Sequence, residues 1–387
     1  MPSLTTRLKR VGLPRLIVHV CVLAIAILWL IPTLGILVTS VRDKDQITTS
    51  GWWTAFGSST QTSAGRLGDP SSARQEGGNY VITGSVFEEG QGGTVSAFGV
   101  RIQDPAAFKA GEPADLGDGE TLSVESDGSY VYTKNAPFEG SRGKRIYLSV
   151  ASPPEFTLQN YETVLAGEGI GQAFINSLTV TIPATIIPIL IAAFAAYALS
   201  WMHFPGRAII IAVVVGLIVV PLQMSLIPLL RLYNEFGQFL GTSSKTYAGI
   251  WLAHTAFGMP LAIYLLRNYI SGLPKEIIES ARVDGASDFE IFLKIVLPLS
   301  FPALASFAIF QFLWVWNDLL VAIVFLGTGR NELVLTGALN ALLGSRGGNW
   351  EILTASAFIT ILVPLLVFFG LQRYLVRGLL AGSVKGG

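Results

Sequence analysis

The chain has 387 residues, 51% of them apolar and 13% charged, with a mean hydropathy of +0.55; a soluble domain carries about 25% charge, so the composition is that of an integral membrane protein. Lys plus Arg (26) equals Asp plus Glu (26), which excludes a basic nucleic-acid binder and an acidic disordered tail. The single cysteine, Cys21, leaves no disulfide framework and no cysteine-based zinc site.

A spanning helix needs roughly 20 mostly apolar residues. The first stretch, residues 16–38, follows Arg7, Lys9, Arg10 and Arg15. Its alternative is a signal peptide, but the run exceeds the usual ~7–15 residues and no A-x-A cleavage site follows. Residues 42–172 are rich in Gly, Ser, Asp and Glu and read as a soluble external insert. Period-two alternation at residues 80–83, 95–102, 121–124, 130–133 and 145–150 predicts short strands. Glu125-Ser126-Asp127-Gly128 supplies the hairpin turn between two of them. The expectation is a small antiparallel β-domain over residues 77–151, with 57–74, rich in Ser, Gly and Thr, as a linker or mobile flank.

Five further spans follow at residues 174–199, 208–230, 247–266, 299–325 and 353–376, with Pro183, Pro188, Pro221, Pro228 and Pro260 placed to kink them. No internal repeat is visible. The expected fold class is an all-α polytopic membrane protein of six transmembrane helices with a small β-rich extracytoplasmic insert. Its parts are a first segment (1–41), the insert (42–172) and a five-span core (173–387) holding a loop (267–298) and a polar tail. With both termini inside, the inner pieces carry twelve Lys and Arg and the short outer loops only Arg231, Lys245, Arg330 and Arg346. The positive-inside rule therefore puts the N- and C-termini in the cytoplasm.

Catalytic signatures are missing. Gly140 to Lys144 lacks the G-x-x-x-x-G-K-[ST] spacing of a phosphate-binding loop, and no H-E-x-x-H occurs. His19, His203 and His254 form no ligand cluster, so no metal site is expected. A lone intramembrane histidine such as His254 is expected to be packed and hydrogen-bonded.

The loop between the fourth and fifth spans reads as two short helices joined at a glycine. Pro274 suits the first turn of the first helix, Ile277, Ile278 and Ala281 fall on one face, and Gly285 supplies a left-handed stop. Ser287 with Glu290 is a capping box that starts the second helix, and Pro298 begins the next span. Inside the spans, Gln223, Gln311, Asn317 and Asp318 are expensive in lipid and should face protein or a water-filled path.

Glu279-Ser280-Ala281, then Gly285 after three intervening residues, and Ile295-x-Leu297-Pro298 after nine more resemble the E-A-A-x3-G-x9-I-x-L-P signature of bacterial binding-protein-dependent ABC importer permeases of type I. Ser280 is the only departure, small for small. Asn176-Ser177-Leu178, Phe204-Pro205-Gly206-Arg207, Trp316-Asn317-Asp318 and the glycine-containing tail are similar to the six-span member of the maltose-type pair. The long first loop resembles that of α-glucoside importer permeases.

The resemblance implies an ATP-driven sugar importer in the bacterial inner membrane. The partners it implies are a second permease, an ABC ATPase homodimer that binds ATP and magnesium, and an extracytoplasmic sugar-binding protein. No cofactor would be held by this chain. By the same resemblance, residues 275–284 dock in the ATPase: Glu279 meets a basic residue, Ala281 and Gly285 permit close approach, and Ser280, Asp284, Ile295, Leu297 and Pro298 complete the motif. The tail residues Gly382, Ser383, Val384, Lys385 and Gly386 would enter the ATPase interface, and the loop over residues 327–350 would reach the binding protein. Asn317 and Asp318, with Gln311 and Gln223, are candidates for the sugar pathway, or for hydrogen bonds between helices. The alternative, a stand-alone secondary transporter or channel, usually shows paired ionisable residues deep in several spans, and these spans contain almost none. A membrane enzyme would need clustered His or carboxylates at a membrane edge.

Overall fold

The computed structural model describes residues 13–87, 93–167, 169–345 and 347–380. It divides into two compact units, Met1–Asn160 with Asn349–Thr354, and Tyr161–Gly348 with Ala355–Gly387.

The first unit begins with α1 (Leu13–Ser40), apolar on every side and almost wholly exposed, as a lipid-facing helix is. The short α2 (Lys44–Thr49) is capped at its start by Asp43, whose carboxylate accepts the Asp45 N–H at 2.9 Å. At its other end the buried Arg42 guanidinium donates to the carbonyls of Gln46 and Ser50, each at 3.0 Å, and so ties the helix to its C-cap residue. Asn160 Nδ2 donates to the carbonyls of Ser40 and Arg42, both at 2.9 Å. Gln46 donates to Pro153 O at 2.8 Å and accepts the Glu155 N–H at 3.2 Å. Arg42 also bridges Phe156 as an isolated antiparallel pair. The chain therefore leaves and rejoins the foot of the β-domain through one hydrogen-bonded knot.

The β-domain is a sandwich. One sheet has the order β1-β9-β4-β5, from Ser59–Arg66 (β1), Arg145–Ser152 (β9), Thr94–Gly99 (β4) and Phe108–Lys109 (β5). The other has the order β2-β3-β8-β7-β6, from Arg74–Glu76 (β2), Asn79–Ser85 (β3), Ser129–Lys134 (β8), Glu120–Val124 (β7) and Ala114–Gly117 (β6). Alternate residues point inward: Leu122 and Val124, Tyr130 and Tyr132, and Ile146, Leu148 and Val150 fill the space between the sheets. Gly128 takes φ 86° in the β7–β8 turn, where the Asp-Gly pair predicted it. Residues 57–74 are not a linker. β1 pairs with β9 over eight residues, from Ser59–Ser152 to Arg66–Arg145. Its Ser, Thr, Gln, Ala and Gly side chains show little hydrophobic alternation because it is an edge strand.

Between the sheets' ends Glu120 accepts hydrogen bonds from Tyr132 Oη at 2.6 Å, Lys134 Nζ at 3.0 Å and Lys144 Nζ. Burial alone would raise its pKa, but the hydrogen bonds from Lys144, Tyr132 and Lys134 outweigh it and hold the carboxyl at about 2.

The second unit is helical. After α3 (Gln159–Gly167) come α4 (Ile170–Trp201), α5 (Arg207–Ile218), α6 (Leu222–Leu240) and α7 (Tyr247–Ile270). The loop region contains α8 (Lys275–Val283), α9 (Asp288–Ile291), a π-turn over Phe292–Val296 and α10 (Leu297–Leu299). Then follow α11 (Phe301–Asn317), α12 (Leu320–Phe325), α13 (Leu335–Ser345) and α14 (Trp350–Leu380). Among the described residues, α1, α4, α7 and α14 are each long and apolar enough to cross a membrane.

Two of the expected spans are not single helices. Residues 208–230 bend by 105° between α5 and α6, where Pro221 holds an extended backbone ahead of α6 and the residue before it is steered away from helix. Residues 299–325 break twice. The helix ending at Leu299 meets α11 at 69°, because Pro302 has no N–H to offer the carbonyl of Pro298. Pro298 itself lies inside the preceding helix rather than at the start of the span. At the far end of α11, Asp318 is extended (ψ 109°), and its carboxylate caps α12 through the Val321 N–H at 2.9 Å.

Two apolar clusters hold the bundle. One joins Ala192, Ala193, Ala196 and Tyr197 of α4 to Leu266 and Ile270 of α7, and to Ile278, Ile291 and Phe292 of the loop. The other joins Val180 and Ala184 of α4 to Ile250, Val315 and Phe325. The alanines of α4 let the α7 backbone approach closely.

Candidate functional site

The loop after α7 folds as its sequence dictates. Gly285 (φ 82°) closes α8 with a complete Schellman pair: the Gly285 N–H reaches Arg282 O at 3.1 Å and the Ala286 N–H reaches Ala281 O at 3.0 Å. Ser287 and Glu290 form the expected reciprocal capping box at α9. Pro274 sits at the N-cap of α8, one position before the first turn.

The signature residues divide by direction. Glu279, Ser280 and Asp284 are exposed, with Glu276 and Val283 among them; Val283 is 87% exposed. The Glu279 carboxylate has no hydrogen-bond or ion-pair partner among the described residues. Ala281, Ile295 and Leu297 pack against the chain's own core around the fully buried Ile278 and Ile291. Ala281 is half-buried and packs on its inner side against this core. Gly285 is exposed with no atom within 4 Å of an added Cβ, so its backbone angle, and no crowding within the chain, calls for glycine there. Pro298 is exposed.

The loop is latched to the bundle. Asp288 Oδ1 accepts from Arg282 Nη2 at 3.1 Å and from Tyr197 Oη of α4 at 2.9 Å. Arg282 also reaches Trp201 O at 3.4 Å, and the Trp201 indole N–H donates to Ile270 O at 3.1 Å. α8 is therefore joined to the ends of both α4 and α7. A cleft of about 250 Å³, lined by Asp284, Gly285, Ala286, Glu290, Ile291, Lys294 and Ile295, lies beside the turn. Sequence reasoning missed the latch: Arg282 and Asp288 flank the glycine, but Tyr197 is 91 residues away from Asp288.

The intramembrane polar residues gather at the bend between α5 and α6. A cavity of about 610 Å³ is lined by Ser225, Phe257, Gly258, Phe310, Gln311 and Trp314, among others. A second, of about 350 Å³, is lined by Gln223, Asn317, Asp318 and again Trp314. All four predicted residues thus flank one tryptophan that no sequence motif singled out. Gln311 is buried; its Nε2 donates to Ala184 O at 3.1 Å and His254 O at 3.3 Å, while a Cβ on Gly258 would stand 2.5 Å from its Oε1. Asn317 Nδ2 donates to Leu313 O at 2.7 Å. Neither Gln223 nor the Trp314 indole N–H has a hydrogen-bond partner among the described residues. His254 is packed edge-on against Trp314 at 5.8 Å, but contrary to expectation neither ring nitrogen is hydrogen-bonded among the described residues.

The other motif residues are structural anchors. Trp316 is buried and donates to Thr360 O at 2.9 Å. Asn176 Nδ2 donates to the carbonyls of Asn331 and Leu333, and Ser177 Oγ accepts the Leu335 N–H at 2.8 Å. Together they pin the start of the loop that precedes α13. The tail residues Gly382 to Gly386 lie outside the described residues. No group of three or more His, Cys, Asp or Glu able to hold a metal occurs among the described residues.

A bent-helix bundle with a polar cleft and a latched loop helix that exposes Glu276 and Glu279 fits a membrane transport component. Residues 172–380 match the family described as binding-protein-dependent transport system inner membrane component, and the chain belongs to it. It is 67% identical over 370 residues, 96% of this chain and 97% of the relative, to the alpha-glucoside transport system permease protein AglG of Rhizobium meliloti (strain 1021). It is 42% identical to the osmoprotective compounds uptake permease protein GgtD of Synechocystis over 96% of this chain and 92% of that one. A probable ABC transporter permease of Pyrococcus horikoshii is 40% identical but covers 60% of this chain and 83% of its own length.

Proposed function

We propose that this chain is the six-span half of a heterodimeric pore that imports an α-glucoside by alternating access, powered by ATP hydrolysis in a separate subunit. The observation that carries the reading is α8: an acidic face tipped by the exposed Val283 stands free, while its other face is locked to α4 and α7. A partner that moves α8 therefore moves two spanning helices with it. The substrate class rests on the 67% identity to the alpha-glucoside permease.

Glu279, Ser280 and Asp284 meet a basic cleft of an ABC ATPase homodimer, which binds ATP and magnesium; this chain holds no cofactor. ATP closes the ATPase dimer and thereby favours one orientation of the bundle, since only differential binding shifts such an equilibrium. A second permease completes the pore, and a sugar-binding protein delivers the ligand, touching the loop over residues 327–350 and the β-domain. Residues 382–386 enter the ATPase interface. The excess of Lys and Arg on the coupling-loop side supports cytoplasmic termini, six spans with two of them broken, and an external β-domain.

Sugar passes the cleft at the α5–α6 bend. Trp314 offers an aromatic face, and Gln223 and Asn317 offer amide donors and acceptors, the chemistry that glycosyl rings and hydroxyls require.

Reconstitution of the chain with both partners in proteoliposomes, ATP inside and loaded binding protein outside, tests the reading. Labelled α-glucoside should accumulate, and Glu279→Arg should abolish accumulation while leaving membrane insertion intact. Full uptake by Glu279→Arg would remove α8 as the ATPase contact.

A further inference from the structure

The base of the β-domain carries a group of aromatic side chains that neither the sandwich core nor the transport reading uses. Trp53 is 74% exposed and Phe56 77%. Phe156 and Leu158, on the returning chain, are exposed as well. The rings form two pairs: Trp52 meets Trp53 edge-on at 6.1 Å, and Phe56 meets Phe156 at 5.6 Å. Phe156 is paired with Arg42, two residues past the end of α1.

Their depth along α1 is fixed by one contact. The Trp52 ring lies over Gly35, with its Nε1 only 2.9 Å from where a Cβ of that glycine would be. Gly35 is three residues before Val38, the end of the apolar run, which is about 4.5 Å at 1.5 Å per residue. The apolar run of α1 is a little longer than the ~30 Å hydrocarbon core, so Gly35 lies at the level where hydrocarbon gives way to headgroups. Tryptophan and other amphipathic rings concentrate at that level. Of the nearby charges, Arg42 is buried in the knot at the foot of the domain and Asp43 caps α2, while Lys44, Asp45 and Glu155 are exposed, as groups at headgroup level can be.

We infer that Trp52, Trp53, Phe56 and Phe156 form a membrane foot, a surface that seats the base of the β-domain in the lipid headgroup layer around α1. Lipid is the occupant because the patch is continuous with the lipid-exposed sides of α1 and stands at interfacial depth. The knot formed by Arg42, Gln46 and Asn160 then makes foot, helix and β-domain base one rigid piece. The inference depends on α1 spanning a bilayer and is independent of which sugar or ATPase the transporter uses.

The test uses the full chain, alone and with its partner subunits, in nanodiscs of phosphatidylethanolamine and phosphatidylglycerol. In a Cys21→Ser background, Thr54→Cys carries an environment-sensitive fluorophore beside the rings, and Asp127→Cys in the β7–β8 turn is the control. Nitroxide lipids labelled near the glycerol backbone should quench the probe at 54 at least twofold and leave the probe at 127 unchanged. Trp53→Ser with Phe56→Ser should reverse most of that quenching, and Trp53→Phe should preserve it. Circular dichroism and size-exclusion elution confirm that each variant is folded. A probe at 54 quenched by aqueous iodide and untouched by lipid nitroxide would overturn the inference. So would a probe shielded from iodide only when the second permease is present, which would make the patch a subunit interface.

Discussion

Substituting Gly285 separates two reasons for a glycine at the turn of the coupling loop. At φ 82° an L-residue lies in the left-handed region, at a cost of roughly 1–2 kcal/mol for alanine and less for asparagine. An added Cβ meets nothing within 4 Å, so the chain itself imposes no steric term. If backbone conformation decides, Gly285→Asn should be mild, Gly285→Ala should lower the population of the closed turn by about 5–30-fold, and Gly285→Val should be worse. The turn carries the Schellman bonds from Gly285 and Ala286 and sets the Arg282–Asp288 latch across it, so loss of the turn should release α8 from α4. The assay is ATP-driven uptake in proteoliposomes with ATPase co-purification measured in parallel. Uptake should fall in the order Gly, Asn, Ala, Val. An asparagine variant more impaired than alanine would refute the conformational account and show that space for another subunit decides. A normal valine variant would refute both.

Other outcomes follow from the same geometry. Tyr197→Phe and Asp288→Asn should each retain ATPase binding yet lower uptake per ATP hydrolysed, because the latch and not the docking face is lost; unchanged coupling ratios would count against it. Gly258→Ala should push Gln311 from its place, given the 2.5 Å approach to Oε1, and Trp314→Ala should raise the half-saturating concentration of sugar-loaded binding protein or lower maximal uptake several-fold; wild-type transport kinetics in both would move the sugar path elsewhere. Glu120 has its pKa lowered from 4.5 to about 2, so its contribution to stability is complete above about pH 4.5 and is lost as pH falls through about 2. Protease resistance of the β-domain should therefore decline over that window, and Glu120→Gln should be less stable at neutral pH but flatter across the window; an equal slope in both proteins would assign the acid sensitivity to another group.

What the sequence disclosed was local. The glycine stop at Gly285 and the Ser287–Glu290 capping box involve groups within a few residues of each other, so their spacing alone defines them. The cost of burying amides in lipid singled out Gln223, Gln311 and Asn317, and the fold brings them around Trp314. Trp314 itself was hidden because an aromatic residue in an apolar run carries no distinguishing pattern. The kink expected at Pro221 proved to be a full 105° break, whereas the break at Ser300 was hidden, since hydropathy counts apolar residues without regard to helix direction. β1 was invisible for the opposite reason: its polar side chains look like linker, and its strand character comes from pairing with β9, 79 to 93 residues distant along the register. The Tyr197–Asp288 bond likewise exists only once α4 and the loop are packed together.

The knot at Arg42, Gln46, Phe156 and Asn160 makes the β-domain a detachable module in topological terms. Because the outgoing and returning strands pair at Arg42 and Phe156, their backbones lie about 5 Å apart, a gap that one or two glycines could close. A chain that skips residues 43–155 by such a splice would still carry α1 into α3 without stretching either. An inserted or lost domain at this position therefore asks little of the helices, and the same junction would accept a foreign domain whose ends lie side by side. Transporters of this kind could thus gain, shed or exchange an external appendage while leaving the coupling loop and the sugar path untouched.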